Sequence, residues 1–435
     1  MQMYSRRPID LNPAADASAI VAAICASGRA RDFFVYKTNS ETRIACDCRV
    51  KILVTSGRLG ITSGGSEPSW SPVVDPLKEI EGLLHNLPDS PWTAYGYVAF
   101  DSCKFYHPYD RASHWPLIQF FIPKYEIRIG LQDATVVCPD DDGAVVSVIN
   151  QAVLKQDFTP EPLQSDSSDY EAFCESVNEA IRLISKGALQ KVILSRFIRR
   201  QRTIDLLATH AMALRSNNVP RSYCFRIDDI GGVGISPEIL VQASGGLITT
   251  NPLAGTRPRG ANASEDEQYC FELFTNAKEV KEHALSVFVA EQEIREVSSP
   301  ETVCIHDFMA VKKYRFVQHL SSRVSGTLLA GNTVWDALKR LFPGVTVAGI
   351  GKSAALSAIG QLEREPRGIY GGAVGWIDST QRADFAIAIR SAFQYGSEFY
   401  VNAGAGIIAE SIAEREYIEA TNKMKTMMTC IVLAD

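Results

Sequence analysis

The stretch at residues 403–423, AGAGIIAESIAEREYIEATNK, constrains this chain more than any other. It opens with Gly404 and Gly406 on either side of an alanine, and such glycines let a backbone pass close to a ligand and present its N–H groups. In the helical segment that follows, Glu416, Glu419 and Lys423 lie three and four residues apart and share one helix face. Taken alone, this pattern also fits a solvated charged face with an i,i+4 ion pair.

The same spacing of carboxylates recurs at residues 276–287, NAKEVKEHALSV, where Glu279 and Glu282 are three residues apart. Two carboxylates from each of two helices could hold a hard cation such as Mg²⁺ against an anionic substrate, because such a cation prefers oxygen ligands. The second copy of the pattern therefore favours a metal site over two unrelated charged faces.

The composition is that of a globular chain of 435 residues, long enough for one large domain or two smaller ones. A formal net charge of −6, without a cluster of lysine or arginine, argues against nucleic-acid binding. Residues 19–26, AIVAAICA, predict a helix rather than a signal peptide, and no apolar stretch is long enough to span a membrane. Ten scattered cysteines and seven histidines without zinc-ligand spacing indicate a reduced, cytoplasmic protein.

Short strands and a few helices are predicted before residue 156 from β-branched and aromatic content and from apolar spacing. Helical spacing occurs at 77–87, and the strand candidates are 32–36, 50–54, 92–100, 117–122, 125–129 and 145–148. The Pro-, Ser- and Asp-rich stretch 157–169 is typical of a linker between an N-terminal portion, 1–156, and a second portion, 170–435. The second portion opens with a helix at 170–186, ended by Gly187, and a strand at 191–197.

A series of short motifs follows in order along the second portion: KVILSR (191–196), SPEIL (236–240), PLAGTRPRG (252–260), KEVKEH (278–283), VQHL (317–320), YGGAVGW (370–376) and IAIRSA (387–392). With AGAGI and its E-x-x-E helix, these motifs resemble the chorismate-utilising enzymes, and most closely the salicylate synthases of siderophore pathways. The resemblance implies an α/β (α+β) fold, with an antiparallel β-sandwich core and helices packed outside, in which both portions form one body.

The resemblance gives Lys191 and Glu238 the roles of base and acid. Water attacking C2 of chorismate needs a base, and a lysine serves if desolvation or nearby positive charge lowers its pKa. The C4 hydroxyl leaves only when it is protonated, which requires a carboxylic acid held neutral by its site. Without the resemblance, Lys191 could mark the wet end of a strand and Ser236-Pro237-Glu238 the start of a helix.

The resemblance also assigns roles in the reaction to His319 and Thr346. His319 would donate a hydrogen bond to the ring carboxylate, although a lone histidine is often purely structural. Thr346 occupies a position where enzymes that also expel pyruvate tend to carry threonine, although a β-branched residue also suits a strand.

The remaining site residues are implied in the same way. Arg390 lies in an apolar strand, where an unpaired arginine would be costly and a substrate carboxylate would satisfy its guanidinium. The implied substrate-binding set is Leu253, Gly255, Thr256, Tyr370, Arg390, Gly404, Ala405, Gly406 and Lys423. The implied ligands of Mg²⁺, partly through water, are Glu279, Glu282, Glu416 and Glu419.

Four positions depart from the pattern of the family or of its salicylate synthases: Asn251, Ala348, Gly351 and Gly371. None of them removes a proposed catalytic group. The sequence thus predicts a Mg²⁺-dependent salicylate synthase that converts chorismate through isochorismate to salicylate and pyruvate. It would act as a monomer, without a glutamine amidotransferase subunit, nucleic acid or membrane. The alternatives are an isochorismate synthase, an anthranilate synthase component and an inactive paralogue that binds chorismate or a partner protein.

Overall fold

In a computed structural model the strands of the chain join into one antiparallel network. The structure describes residues 4–11, 16–64, 66–87, 91–153, 158–164 and 167–434. In chain order, strands β1 to β21 of this part are Tyr4–Pro8, Phe33–Thr38, Thr42–Thr55, Arg58–Ser63, Ser69–Pro72, Thr93–Val98, Ile118–Ile129, Ala134–Pro139, Lys191–Arg200, Arg221–Ile227, Ile230–Gly234, Ile239–Ser244, Leu247–Thr250, Leu253–Pro258, Cys304–Lys313, Val317–Thr327, Gly349–Ile350, Ala373–Asp378, Ala383–Ile387, Ser391–Tyr395 and Glu398–Ile407.

Helices flank this network. Helices α1 to α10 of the described residues are Ala17–Ala26, Pro76–His85, Ala144–Asn150, Tyr170–Ser185, Leu206–Ser216, Ala263–Thr275, Ala277–Val297, Val334–Leu341, Lys352–Leu362 and Ala413–Met428. Two 3₁₀ turns, Phe100–Phe105 and Pro300–Thr302, complete the regular structure of this part. None of the helices in the described part combines the length and apolarity that a membrane crossing needs.

Strands from the two predicted portions pair directly with each other. Strand β2 pairs with β10, where Phe34 faces Phe225, and β6 pairs with β18. A buried aromatic cluster forms at this junction, with the rings of Phe34 and Phe225 stacked 5.5 Å apart and those of Tyr97 and Phe225 5.7 Å apart. Aromatic side chains bury large areas, so this cluster stabilises the contact between the two portions.

Three helices cover the strands that carry the motifs. Helix α7 packs on β14 and β16, α10 packs on β21, and α4 packs on α10 and β9. The rings of Tyr170 and Tyr417 meet edge to face at 4.9 Å between α4 and α10. The two helices with repeated glutamates therefore lie against the strands that carry PLAGTR, VQHL and AGAGI.

Most elements predicted from the sequence are confirmed. The helices at 19–26, 77–87 and 170–186 are α1, α2 and α4, and Gly187 has the positive φ expected after a helix end. The strands at 32–36, 50–54, 92–100 and 191–197 lie in β2, β3, β6 and β9, whereas 117–122 and 125–129 are one continuous strand, β7. The described parts of the predicted linker, 158–164 and 167–169, contain no helix or strand, and its other residues lie outside the described ranges.

The predicted strand at 145–148 is wrong, because these residues belong to α3. Val145 and Ile149 are both fully buried and lie four residues apart, so they share one helix face against the core. A run of four apolar residues is too short for its β-branched composition to distinguish a strand from a buried helix.

Candidate active site

The floor of the site is the pairing of β9 with β21, which opposes Ile193 to Gly406. Lys191 begins β9 and is only 1% exposed. Its Nζ lies 2.9 Å from Oε1 of Glu282 on α7 and 3.4 Å from Oγ of Ser286. A buried lysine is tolerated only with such compensation. The lysine is therefore held inside the fold by an ion pair and is not at a wet strand end.

The two glycines of AGAGI leave room for these side chains. A Cβ on Gly406 would lie 2.8 Å from Oε1 of Glu282 and 3.1 Å from Cε of Lys191, and a Cβ on Gly404 would lie 3.3 Å from the hydroxyl of Tyr370. Because side chains alternate along a strand, Ala405 points away from this site and belongs to the apolar core. The predicted role of Ala405 in substrate binding therefore rests on its backbone N–H and stays a prediction.

The carboxyl group of Glu238 is buried immediately before β12, 3% exposed. It accepts hydrogen bonds from Oγ1 of Thr346 at 2.5 Å and from the backbone N–H of Leu253 at 3.2 Å. Burial raises the pKa of Glu238 to about 7, although both hydrogen bonds act in the opposite direction. Glu238 thus has the neutral form accessible near neutrality, as a general acid requires.

The PLAGTR segment bulges at Gly255. The register of β14 against β16 shifts between Ala254 and Thr256, and Gly255 has φ of +78°, a conformation that favours glycine. The bulge turns the backbone N–H of Thr256 toward Oε2 of Glu279, 2.8 Å away. Gly255 and Thr256 therefore connect the pocket wall to α7.

Both ring nitrogens of His319, which lies on β16, form hydrogen bonds. Nδ1 lies 3.2 Å from the carbonyl oxygen of Gly255 and 3.1 Å from Oγ1 of Thr256, and Nε2 lies 3.1 Å from a guanidinium nitrogen of Arg390. Because arginine only donates, Nε2 accepts and Nδ1 carries the proton. Burial, with the charges of Arg390 and Lys423, holds the pKa of His319 well below its usual value. In this arrangement the neutral imidazole orients Arg390 and has no N–H left for a substrate.

Arg390 follows β19 in a left-handed conformation, with φ of +51°, and is 9% exposed. Its other guanidinium nitrogen donates to Oγ1 of Thr426 at 3.1 Å. Among the described residues no carboxylate pairs with it, and burial lowers its pKa. A buried guanidinium without a counterion, held in an unfavourable backbone conformation, is typical of an anion-binding group.

Each of the four glutamates is paired with a basic side chain. The ion pairs are Glu279–Arg257 at 2.7 Å, Glu282–Lys191 at 2.9 Å, Glu416–Lys278 at 2.9 Å and Glu419–Lys423 at 2.8 Å. Glu279 and Glu416 lie in the first turns of α7 and α10, where the helix dipole favours negative charge. As these side chains stand, no three acidic, histidine or cysteine residues in the described part converge on one metal position.

The ammonium of Lys278 lies 2.9 Å from Oε1 of Glu416 and also interacts electrostatically with Glu419 and Glu282. Burial lowers the pKa of Lys278, but Glu416, Glu419 and Glu282 raise it more, so the net shift is upward. Burial and then repulsion by Glu419 raise the pKa of Glu416. These carboxylates therefore require nearby positive charge, which the protein supplies from its own side chains.

An open cleft of about 660 Å³ brings most of the predicted site residues together. Of the predicted site residues, the cleft is lined by Lys191, Glu238, Leu253, Gly255, Thr256, Glu282, His319, Thr346, Tyr370, Arg390, Gly404, Gly406 and Lys423. Glu279, Glu416 and Glu419 lie outside its lining, and Glu419 borders an adjoining cavity. The sequence analysis missed Asn402, which strand alternation with Gly404 and Gly406 could have identified, and Lys278, which precedes the first glutamate pair.

The comparison with known families gives the same assignment as these motifs. A family model described as chorismate binding enzyme matches residues 31–429. The chain belongs to the chorismate-binding enzymes. The predicted family and the predicted antiparallel fold with outer helices are both confirmed.

Members of the family with different products resemble this chain. A salicylate synthase from Mycolicibacterium paratuberculosis is 32% identical over 98% of this chain and 95% of its own length. An anthranilate synthase component 1 from Saccharolobus solfataricus is 34% identical over 82% of this chain and 86% of its own length. The solved menaquinone-specific isochorismate synthase MenF from Escherichia coli superposes with a TM-score of 0.79 at 21% identity, covering 98% of this chain and 94% of that chain.

Two of the four departing positions, Gly351 and Gly371, have a backbone conformation that explains the glycine in this chorismate-binding enzyme. Gly351 precedes α9 with φ of +77°, a conformation that favours glycine and that a proline, with φ fixed near −65°, does not adopt. Gly371 has φ of +80° and faces the ring of Phe100, where a Cβ would lie 3.1 Å away. The loops before α9 and β18 therefore depend on glycine here.

We expect Glu238→Gln to reduce the dependence of stability on pH. The folded pKa of about 7 exceeds the ordinary value of 4.5, so the folded state binds the proton more tightly. The contribution of this carboxyl to stability is therefore full below about pH 4.5 and is lost as pH rises to about 7, by about 3 kcal/mol. Denaturant unfolding should show that the free energy of unfolding falls less between pH 5 and pH 8 for Glu238→Gln than for wild type. The exposed control Glu301→Gln should behave as wild type. An equal fall in both variants would contradict the raised pKa of Glu238.

Proposed function

We propose that this enzyme is a salicylate synthase that converts chorismate through isochorismate to salicylate and pyruvate. The observation that carries the proposal is the convergence of Lys191, Glu238 and Arg390 on one cleft, where Arg390 has no carboxylate partner among the residues that the structure describes. The match to a salicylate synthase along almost the whole chain supports it further. Such an enzyme would supply a siderophore or another secondary metabolite, and would act as a monomer without an amidotransferase subunit.

In the first step, Lys191 would take a proton from the water that attacks C2 of chorismate. Glu238 would give its proton to the hydroxyl that leaves from C4, so that one water adds as another departs and isochorismate results. Lys191 is nearly inaccessible to solvent, and Glu238 is buried with a pKa of about 7. The buried carboxyl of Glu238 suits a general acid. Lys191 would act as the base in its neutral form, after its own proton passes to Glu282, which lies 2.9 Å from its Nζ.

In the second step, a hydrogen would pass from C2 to the methylene carbon of the enolpyruvyl arm, and pyruvate would leave as the ring becomes aromatic. This transfer needs no external acid or base, only a held conformation. Arg390 would bind the carboxylate of the arm, with Tyr370 beside it. Thr346 would bias the rotation of the arm, and its hydrogen bond to Glu238 connects that role to the first step.

The four predicted ligands suit Mg²⁺ because all of them are carboxylates, whose oxygen atoms such a cation prefers. The ammonium of Lys278 already interacts with three of them. Glu279, Glu282, Glu416 and Glu419 would hold the ion after leaving their basic partners. Bound there, Mg²⁺ would supply positive charge against the ring carboxylate of the substrate. In the protein itself, Lys278 and Lys423 provide that charge.

The nearest alternative functions share the fold and the first chemical requirement. An isochorismate synthase would stop after the first step, and the superposition on such an enzyme at 21% identity supports only the shared fold. An anthranilate synthase component would use ammonia, for which a buried lysine base is unnecessary. An inactive paralogue would have no need for Lys191, Glu238 and four paired glutamates together.

Product analysis with Lys191→Ala separates these functions. Wild type should release salicylate and pyruvate in equal amounts from chorismate and Mg²⁺, with little free isochorismate. Lys191→Ala should lose about 10² to 10⁴-fold in chorismate consumption, because no base activates water, yet should convert supplied isochorismate. Chromatography with a fluorescence assay for salicylate measures both. Accumulated isochorismate without pyruvate would replace the proposal with an isochorismate synthase, and anthranilate from ammonium salts would favour the ammonia-using function.

Removal of a proposed metal ligand should weaken metal and substrate binding together. Glu282→Gln and Glu419→Gln should each reduce Mg²⁺ affinity about tenfold or more, measured by calorimetry with and without chorismate. The exposed Glu301→Gln provides the same chemical change away from the site. Full wild-type turnover in excess chelator would refute the requirement for a divalent cation.

Thr346→Ala should shift the products toward isochorismate while chorismate consumption is largely retained. The same change removes a hydrogen bond that lowers the pKa of Glu238. The pH above which the rate of the first step falls should therefore be higher in Thr346→Ala than in wild type. The ratio of isochorismate to salicylate across pH 6 to 9 measures both effects. An unchanged ratio would remove Thr346 from the control of the second step.

A further inference from the structure

A second cavity adjoins the active-site cleft. It is open to solvent, spans about 970 Å³ and shares Thr256 and Lys423 with the cleft. Its lining includes the charged residues Arg257, Arg415, Glu419, Lys423 and Lys425. We call it the outer cavity, and no role in the chemistry above requires Arg415 or Lys425.

The charges of the outer cavity are unbalanced. Its lining has four basic side chains and one acidic side chain, Glu419. Lys423 is paired with Glu419, and Arg257 is paired with Glu272 and Glu279. Arg415 and Lys425 are exposed and have no ion-pair partner among the described residues, and Nζ of Lys425 donates only to the amide oxygen of Asn422 at 2.9 Å.

One face of α10 presents these two charges to the cavity. Arg415, Ile418, Asn422 and Lys425 follow at spacings of three and four residues and therefore lie along one face of the helix. Ile418 is 57% exposed on this face. Phe316 lines the same cavity, so the wall combines free positive charge with apolar surface.

This local charge is opposite to that of the whole chain, whose formal net charge is −6. A net negative protein repels an anionic substrate at long range, whereas a cleft mouth lined by positive charge concentrates it. Chorismate is the substrate of the family and is a dianion with an apolar ring, which matches both components of this wall.

We propose that the outer cavity is the electrostatic entrance of the active site, where Arg415 and Lys425 attract the dicarboxylate substrate before it reaches the cleft. The entrance rests on the proposed function only in taking chorismate as substrate, and it is independent of which product forms. The two residues raise the local concentration of substrate and take no part in the chemical steps.

The test measures chorismate consumption by Arg415→Gln, Lys425→Gln and the double variant at low and high ionic strength. At about 0.01 M salt, where screening extends over about 30 Å, each single change should lower kcat/KM about threefold and the double change about tenfold, with kcat unchanged. At about 1 M salt, where screening acts within about 3 Å, the variants and wild type should converge. Lys186→Gln removes the same charge from an exposed site outside both cavities and should match wild type.

Each other outcome would overturn the proposal. Equal kcat/KM of wild type and the double variant at low salt would exclude an entrance, as would an equal loss in Lys186→Gln. A parallel loss of kcat would place the residues in the chemistry instead. Because consumption is followed without regard to product, release of isochorismate or anthranilate would refute the proposed function and leave this test intact.

Discussion

The buried ion pair between Lys191 and Glu282 is the contact on which the rest of the site depends. It joins the start of β9 to α7 across a space that Gly406 of β21 leaves open. Burying either charge alone is costly, and removing one partner of such a pair typically destabilises a protein by about 3–5 kcal/mol. The strand pairing, the glycine and the helix position are therefore coupled, since any shift would separate the two charges or fill their space.

The site combines compensated and uncompensated charge. Four carboxylates are neutralised by basic side chains, whereas Arg390 is buried, has no carboxylate partner within the described ranges, and is held by His319 and Thr426. Such an arrangement is costly in the free protein and is relieved when an anion binds. The positive φ of Arg390 is also unfavourable for a residue other than glycine, and contacts with the surrounding residues hold the backbone in this conformation.

Family membership and product identity depend on different physical features. Relatives with different products share this family or this fold, so neither the family nor the fold determines which product forms. The product depends on how one flexible arm is held after the first step, which a few contacts decide. The bond between Thr346 and Glu238 links those contacts to the acid, so a single change there can affect both steps.

The sequence by itself determined the family, most elements and, through the resemblance of its motifs, most of the polar residues that line the cleft. These could be predicted because each motif is a short local stretch of sequence. It failed at residues 145–148, where four apolar residues fit a strand or a helix equally well. Only the tertiary structure decided which charges meet. Lys191 with Glu282, Lys278 with Glu416 and His319 with Arg390 are each separated by more than seventy residues in sequence, so no local pattern specifies their contact. The physical reason is that burial, which makes each pairing necessary, exists only once the strands and helices have packed together.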